Sequence, residues 1–254
     1  MRLTLPRGVE VFVPTRDSAR WIGAFAHAWK RIGVSPLYVV DARTRDRTSS
    51  ILRDLGMRQI DLMPEHDRVE DIVWRVGKGS TAEWLLRLDD DEFPSTDMLG
   101  WIRRHVKTLD SAAVGFSRRW CWTRAGRLAY AVPRDFFWLP ESPDQLDPQI
   151  RLFRPAIVRW TTDIHTPGFA AKDISFAPPF AYLCHFDWMM RSRAERNEKI
   201  ARYEAQQPGA GNSVAEFYLP EERAAKDSLP LQAFETREFE RLAKSLLHDR
   251  ALAS

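Results

Sequence analysis

Between residues 9 and 88 the chain alternates short apolar runs with segments of helical period, which narrows the possible architectures sharply. Val9–Val13 (VEVFV), Leu37–Val40 (LYVV), Arg58–Leu62 (RQIDL) and Trp84–Leu88 (WLLRL) have strand length and are bounded by turn residues. Between the first two, Trp21, Ile22, Phe25, Trp29 and Ile32 recur at helical spacing. Asp17-Ser18 offers an N-cap and Gly33 a stop, so a helix is expected over 19–32, with Pro14 closing the strand before it. Further helices are expected over 48–55, stopped by Gly56, and over 68–76. Such alternation makes βαβ units with right-handed crossovers, hence parallel strands whose C-terminal ends share one edge. The expected class is α/β, a Rossmann-like and mostly parallel sheet flanked by helices. Open sheets of this kind bind ligands at that edge. Three polar clusters fall there: Thr15, Arg16 and Asp17; Asp41 with Arg43; and the run Asp89-Asp90-Asp91-Glu92.

The second half is less regular. AAVGFSR (112–118) and QIRLFR (149–154) are strand candidates, separated by the turn-rich LPESPDQLDP. Ser192 and Glu195 form an S-x-x-E capping box opening a helix to Gln206. The Gly- and Pro-rich QQPGAGNS reads as a loop, and 231–251 as an amphipathic final helix. With 254 residues, 44% of them hydrophobic, the chain can bury one substantial core. Lys and Arg number 38 against 35 acids and are interspersed with them, which argues against a nucleic-acid partner. No run approaches the roughly 18 apolar residues of a spanning helix, so no integral membrane segment is expected. The N-terminus lacks the apolar stretch of a signal peptide. Two cysteines without CxxC spacing fit a reducing, cytoplasmic setting, with peripheral association at the inner membrane face left open.

The acidic run carries the chemistry. Strand alternation would turn Asp89 and Asp91 to one side and Asp90 away. Close carboxylates repel unless protonated, hydrogen-bonded or bound to a cation. A hard divalent ion, Mn2+ or Mg2+, meets that need, and a diphosphate can complete its shell. The bland alternative is a solvated acidic turn.

LRLDDDEF resembles the D-x-D region of GT-A glycosyltransferases, especially bacterial family 2-like enzymes. VEVFVPTRDSARWIGAFAHAWKRIG is similar to their opening strand and helix, and VVDARTRDRTSSILRDLG to the acid-bearing segment that approaches the nucleobase. QIRLFRP with the following W-x-x-x-I-H resembles the acceptor-side segment, and HFDWMMRSRAERNEKIARY a C-terminal stretch of related sequences. Together these cover residues 9 to 203.

The resemblance implies a GT-A fold with a catalytic domain over 1–206, split into a nucleotide-binding half (1–110) and an acceptor half (111–206), and a C-terminal helical appendage over 207–254. It implies a hexosyltransferase-type enzyme, moving a sugar from a nucleotide-diphosphate sugar, UDP-sugar favoured, to a saccharide or lipid-linked acceptor in polysaccharide or glycoconjugate synthesis, with inversion. Asp41 would contact the base and Thr15 the base or ribose. Asp89 would lie near ribose and metal, and Asp91 would be the firmest metal ligand. Three departures stand out: Asp90 replaces the usual small residue, Arg43-Thr44 the usual serine, and Thr166 the usual glutamate after His165.

GT-A enzymes often take a further metal ligand from the C-terminal region, and His185 fits that role, or else is a core histidine. Asp163, with His165 beside it, is the candidate base for the acceptor hydroxyl, or a turn cap. Arg151, Arg154 and Arg191 are candidates to stabilise the leaving diphosphate. Trp120, Trp122, Phe136, Phe137 and Trp138 form either a sugar platform or core packing. Two rivals remain: a nucleotidyltransferase, disfavoured because VPTRDSARW has no glycine, and a non-catalytic nucleotide-binding scaffold.

Overall fold

The computed structural model describes residues 4–125, 127–131, 148–161, 166–231 and 236–252. Strand β1 (Val9–Thr15), helix α1 (Ile22–Ile32), β2 (Leu37–Asp41), α2 (Thr48–Asp54), β3 (Arg58–Leu62), α3 (Val69–Gly79) and β4 (Trp84–Arg87) follow in the order read from the sequence. β1 pairs in parallel with β2 and β4, and β2 with β3, so the order is β4-β1-β2-β3. Pro14 lies inside β1 rather than closing it. β4 pairs with β1 only from Val9 to Phe12, so one side of the strand has no ladder there for the missing amide to break.

Helix α1 buries Ile22, Phe25, Ala26, Trp29 and Ile32 along one face, and left-handed Gly33 ends it as expected. Its start differs. Asp17 and Ser18 do not cap it, because their side chains are engaged elsewhere. Asp17 Oδ1 accepts the Arg45 backbone N–H at 2.7 Å, and the Ser18 hydroxyl donates to Asp90.

Beyond β4 the sheet turns mixed. β5 (Glu92–Pro94), α4 (Thr96–His105), β6 (Ala113–Arg124), β7 (Arg127–Ala131), β8 (Pro148–Phe153), β9 (Arg159–Trp160), β10 (Phe169–Ala170), β11 (Ile174–Phe176) and β12 (Tyr182–His185) come next. β8 lies antiparallel between β4 and β6, whereas β12 runs parallel to β6 and antiparallel to β5. This register sets His185 opposite Glu92 and next to Trp120, and so brings β12 onto the acidic run.

Helices α5 (Asp187–Met190), α6 (Arg193–Gln206), α7 (Ala210–Tyr218) and α8 (Glu221–Lys226), strand β13 (Ser228–Pro230) and helix α9 (Thr236–Leu252) complete the chain. α6 opens with both bonds of the Ser192–Glu195 capping box. The expected QQPGAGNS loop is already helical from Ala210. Glu204, on the preceding helix, accepts the backbone N–H groups of Gly209, Gly211 and Asn212 and so supplies the cap from a distance. Gly211 permits the close packing, since a Cβ there would meet Ile200 O at 2.5 Å. On α9, Phe239 packs against Phe93 and Phe186, each at 6.2 Å between ring centres. Burying such a ring contributes roughly 1.5–3 kcal/mol. No helix among the described residues is long and apolar enough to cross a membrane.

Candidate active site

The C-terminal ends of β1, β2 and β4 open on a cleft of about 350 Å³. Thr15, Arg16, Asp17, Asp41, Asp89, Asp90 and Asp91 line the strand side, and His185, Arg191, Lys199, Tyr203 and Tyr218 the side of β12, α6 and α7. Arg43 pairs with Asp41 beside the cleft. Most of the donor and metal residues expected from sequence therefore come together. Arg154 turns away, its guanidinium lying 4.6 Å from the Trp84 ring and bonding to Leu109 O. Trp120 is buried, stacked on Trp188 and edge-on to His185 at 4.2 Å, so it serves packing. Asp163, His165, Phe136, Phe137 and Trp138 lie outside the described residues.

The acidic run is a turn and not the continuation of a strand. The chain leaves β4 after Arg87, and Glu92 N–H bonds back to Asp89 O at 3.0 Å. Strict alternation therefore fails, and each acid meets its own partners. Asp89 accepts from Arg87 Nε at 3.0 Å and Arg151 Nη2 at 3.0 Å. Asp90 does not point away. Its Oδ2 reaches across to the Thr15 hydroxyl at 2.7 Å and to that of Ser18. Asp91 faces His185 Nε2 at 3.3 Å and Arg191 Nη1 at 3.0 Å. Glu92 is buried and held by Arg151 through Nε at 2.8 Å and Nη2 at 2.6 Å.

The surroundings divide the carboxyls electrostatically. Burial disfavours ionisation of Asp91, but His185, Lys199 and Arg191 outweigh it and hold the carboxyl well below its usual range. Asp89 is likewise lowered, because Arg87 and Arg151 outweigh its burial. Asp90 goes the other way: burial, reinforced by the Asp91 charge, raises it to about 6.

Asp91, His185 and Asp187 each offer a ligand atom, and these atoms lie within 4.8 Å of one another. Phe186 N–H donates to Asp91 O at 2.8 Å, which ties the acidic turn to the segment carrying the other two. Asp187 Oδ2 is buried without a hydrogen-bond partner among the described residues, a costly arrangement that a bound cation would relieve. A mixed set of two carboxylates and one imidazole can hold a divalent cation. The residues thus fit a divalent metal. Arg191 and Lys199 lie on the same carboxylates, Lys199 Nζ being 3.1 Å from Asp187 Oδ1. Burial opposes the charge of Lys199, yet Asp187 raises it well above the usual lysine range. Asp187 and Lys199 were missed in the sequence. The first had a signal, an acid two residues after a candidate ligand, whereas nothing local marks Lys199.

This architecture is the GT-A fold of glycosyltransferases. Glucosyl-3-phosphoglycerate synthase from Mycobacterium tuberculosis, solved with Mn2+, UDP and glucosyl-3-phosphoglycerate, matches with a TM-score of 0.51 and 14% identity over 74% of each chain. The same enzyme with Mn2+, UDP-glucose and phosphoglyceric acid gives the same values. S. aureus TarS matches with a TM-score of 0.50 and 14% identity, over 77% of this chain and 39% of that one. The chain thus spans about two fifths of the length of TarS. At such identity the likeness is one of fold. No family model and no curated protein matches the sequence.

Proposed function

We propose that this protein is a metal-dependent glycosyltransferase acting in the cytoplasm, at or near the inner membrane face, on a nucleotide-diphosphate sugar. UDP-sugar is the favoured donor, and a saccharide or lipid-linked hydroxyl the acceptor, with inversion at the anomeric carbon. The observation that carries this reading is the Asp91–His185–Asp187 cluster with Arg191 and Lys199 upon it, at the edge where α/β sheets bind ligands. Two carboxylates and two cations nearly cancel. A divalent ion would leave the site strongly positive, and a diphosphate would restore the balance, so the two should bind together. Asp91, His185 and Asp187 would hold the ion, which supplies Lewis-acid stabilisation of charge on the diphosphate. Arg191 and Lys199, released from the carboxylates, would bind the diphosphate oxygens. Thr15, Arg16, Asp17, Asp41, Asp89 and Asp90 would line the nucleoside. Asp163, assisted by His165, is the proposed base for the acceptor hydroxyl.

The test is thermal shift with UDP, GDP and nucleotide sugars, each with Mn2+, Mg2+ or EDTA. A ligand at 100 times its Kd stabilises the native state by about 2.7 kcal/mol. Stabilisation by UDP with metal and not with EDTA is expected. Equal shifts in both would refute the metal bridge.

A further inference from the structure

Asp41 is a buried carboxylate on the cleft wall whose oxygens are largely taken. Arg43 grips it side-on, Nε donating to Oδ1 at 3.0 Å and Nη2 to Oδ2 at 2.9 Å. The Arg43 backbone N–H adds a second bond to Oδ1 at 2.9 Å. Arg16 Nη1 stays 3.7 Å from Oδ2, beyond hydrogen-bonding range, and is drawn instead to Asp67. A carboxylate oxygen offers about two lone-pair sites. Oδ1 is therefore full, and among the described residues Oδ2 keeps one site.

We infer that Arg43 sets the nucleobase choice of this cleft by leaving Asp41 a single acceptor site, which selects uracil and rejects guanine. Guanine presents N1–H and the exocyclic amino group side by side, and a carboxylate takes both through its two oxygens. Arg43 already occupies that same forked edge. Uracil presents one N–H on its pairing edge, flanked by two carbonyls, and one lone pair suffices. Arg43 acts here through Asp41 and need not touch the nucleotide.

This rests on the nucleotide-binding reading above. The experiment is a titration of UDP and of GDP, both with Mn2+, into the wild type and the variants Arg43→Gln and Arg43→Lys. Neither replacement can cover both oxygens while keeping the fork. The wild type should prefer UDP by at least roughly tenfold, about the worth of one well-made hydrogen bond in a buried site. In both variants the preference should fall by a similar factor, chiefly because GDP binds more tightly. An unchanged ratio, or equal weakening of both ligands, overturns the inference and makes Arg43 an ordinary contact residue. Equal binding of UDP and GDP by the wild type also overturns it, while leaving the metal-dependent nucleotide site standing. Binding of neither by the wild type overturns both.

Discussion

Replacing Arg151 with methionine should destabilise the protein severely. Arg151 and Glu92 are both buried, their side chains 6% and 0% exposed, and are joined by two short bonds. Removing the guanidinium strands the Glu92 carboxylate where water cannot reach it, and deleting one partner of such a pair costs about 3–5 kcal/mol. Two contacts soften the loss. Asp89 N–H donates to Glu92 Oε2 at 3.2 Å, and Arg118 Nη1 lies 3.8 Å from Oε1. The lower half of that range, roughly 3–4 kcal/mol, is therefore expected. For a chain of this size each kcal/mol moves Tm by about 2–4 °C, so a fall of roughly 6–16 °C should appear on heating. The double variant Arg151→Met with Glu92→Met should recover most of the loss, since apolar replacement of a whole buried pair is often nearly neutral. Urea unfolding of the four proteins of this cycle gives the coupling directly. A single variant within 1 kcal/mol of wild type, or a double variant worse than the two singles added, would refute the reasoning.

At the proposed metal site, Asp187→Asn and His185→Ala should each weaken Mn2+ binding by at least tenfold in calorimetric titration without nucleotide. A lower Tm at unchanged Mn2+ affinity would mark them as core residues. Asp163→Asn should slow sugar transfer by about 10²–10⁴-fold while UDP affinity stays near wild type; normal turnover would remove Asp163 as the base. Asp90 gives a pH signature in metal-free protein. Its native carboxyl, raised to about 6, binds more protons than the unfolded one between roughly pH 4 and 6, so its ionisation penalises folding at pH 8 and the penalty lifts as pH falls. Asp90→Asn should therefore be more stable than wild type at pH 8, with the gain shrinking below pH 6; a gain independent of pH would contradict the assignment.

The parallel half of the fold was legible because its signals are local. Trp21 to Ile32 announce a helical face, Gly33 ends it, and Arg58–Leu62 is a strand between turn residues. The mixed half was not, because β8 and β12 owe their positions to partners far along the chain. The cleft could be placed, since strand ends at Thr15, Asp41 and Asp89 had to share an edge. The side-chain directions within it could not. A pleat argument presumes a continuing strand, and the backbone bond from Glu92 to Asp89 ends that premise and sends Asp90 toward Thr15 and Ser18. Lys199 arrives from the middle of α6, where helical periodicity alone says nothing of an ion pair with Asp187.

Helix α9 sets a timetable for the site. Phe239 wedges behind Phe93, which follows the acidic turn, and behind Phe186, which lies between His185 and Asp187. Leu242 and Leu246 join the same buried core. The ribosome makes this support long after the strands that carry Asp41 and Asp91. A nascent chain halted before residue 239 would keep Phe25 and Trp29 of α1 against Phe93, and Phe25 against Phe186, but would lack the Phe239 half of the wall behind its acids and its histidine. The proposed nucleotide binding should thus mature late in synthesis, and a stop codon in the α9 reading frame should weaken a cleft that no described side chain of α9 lines.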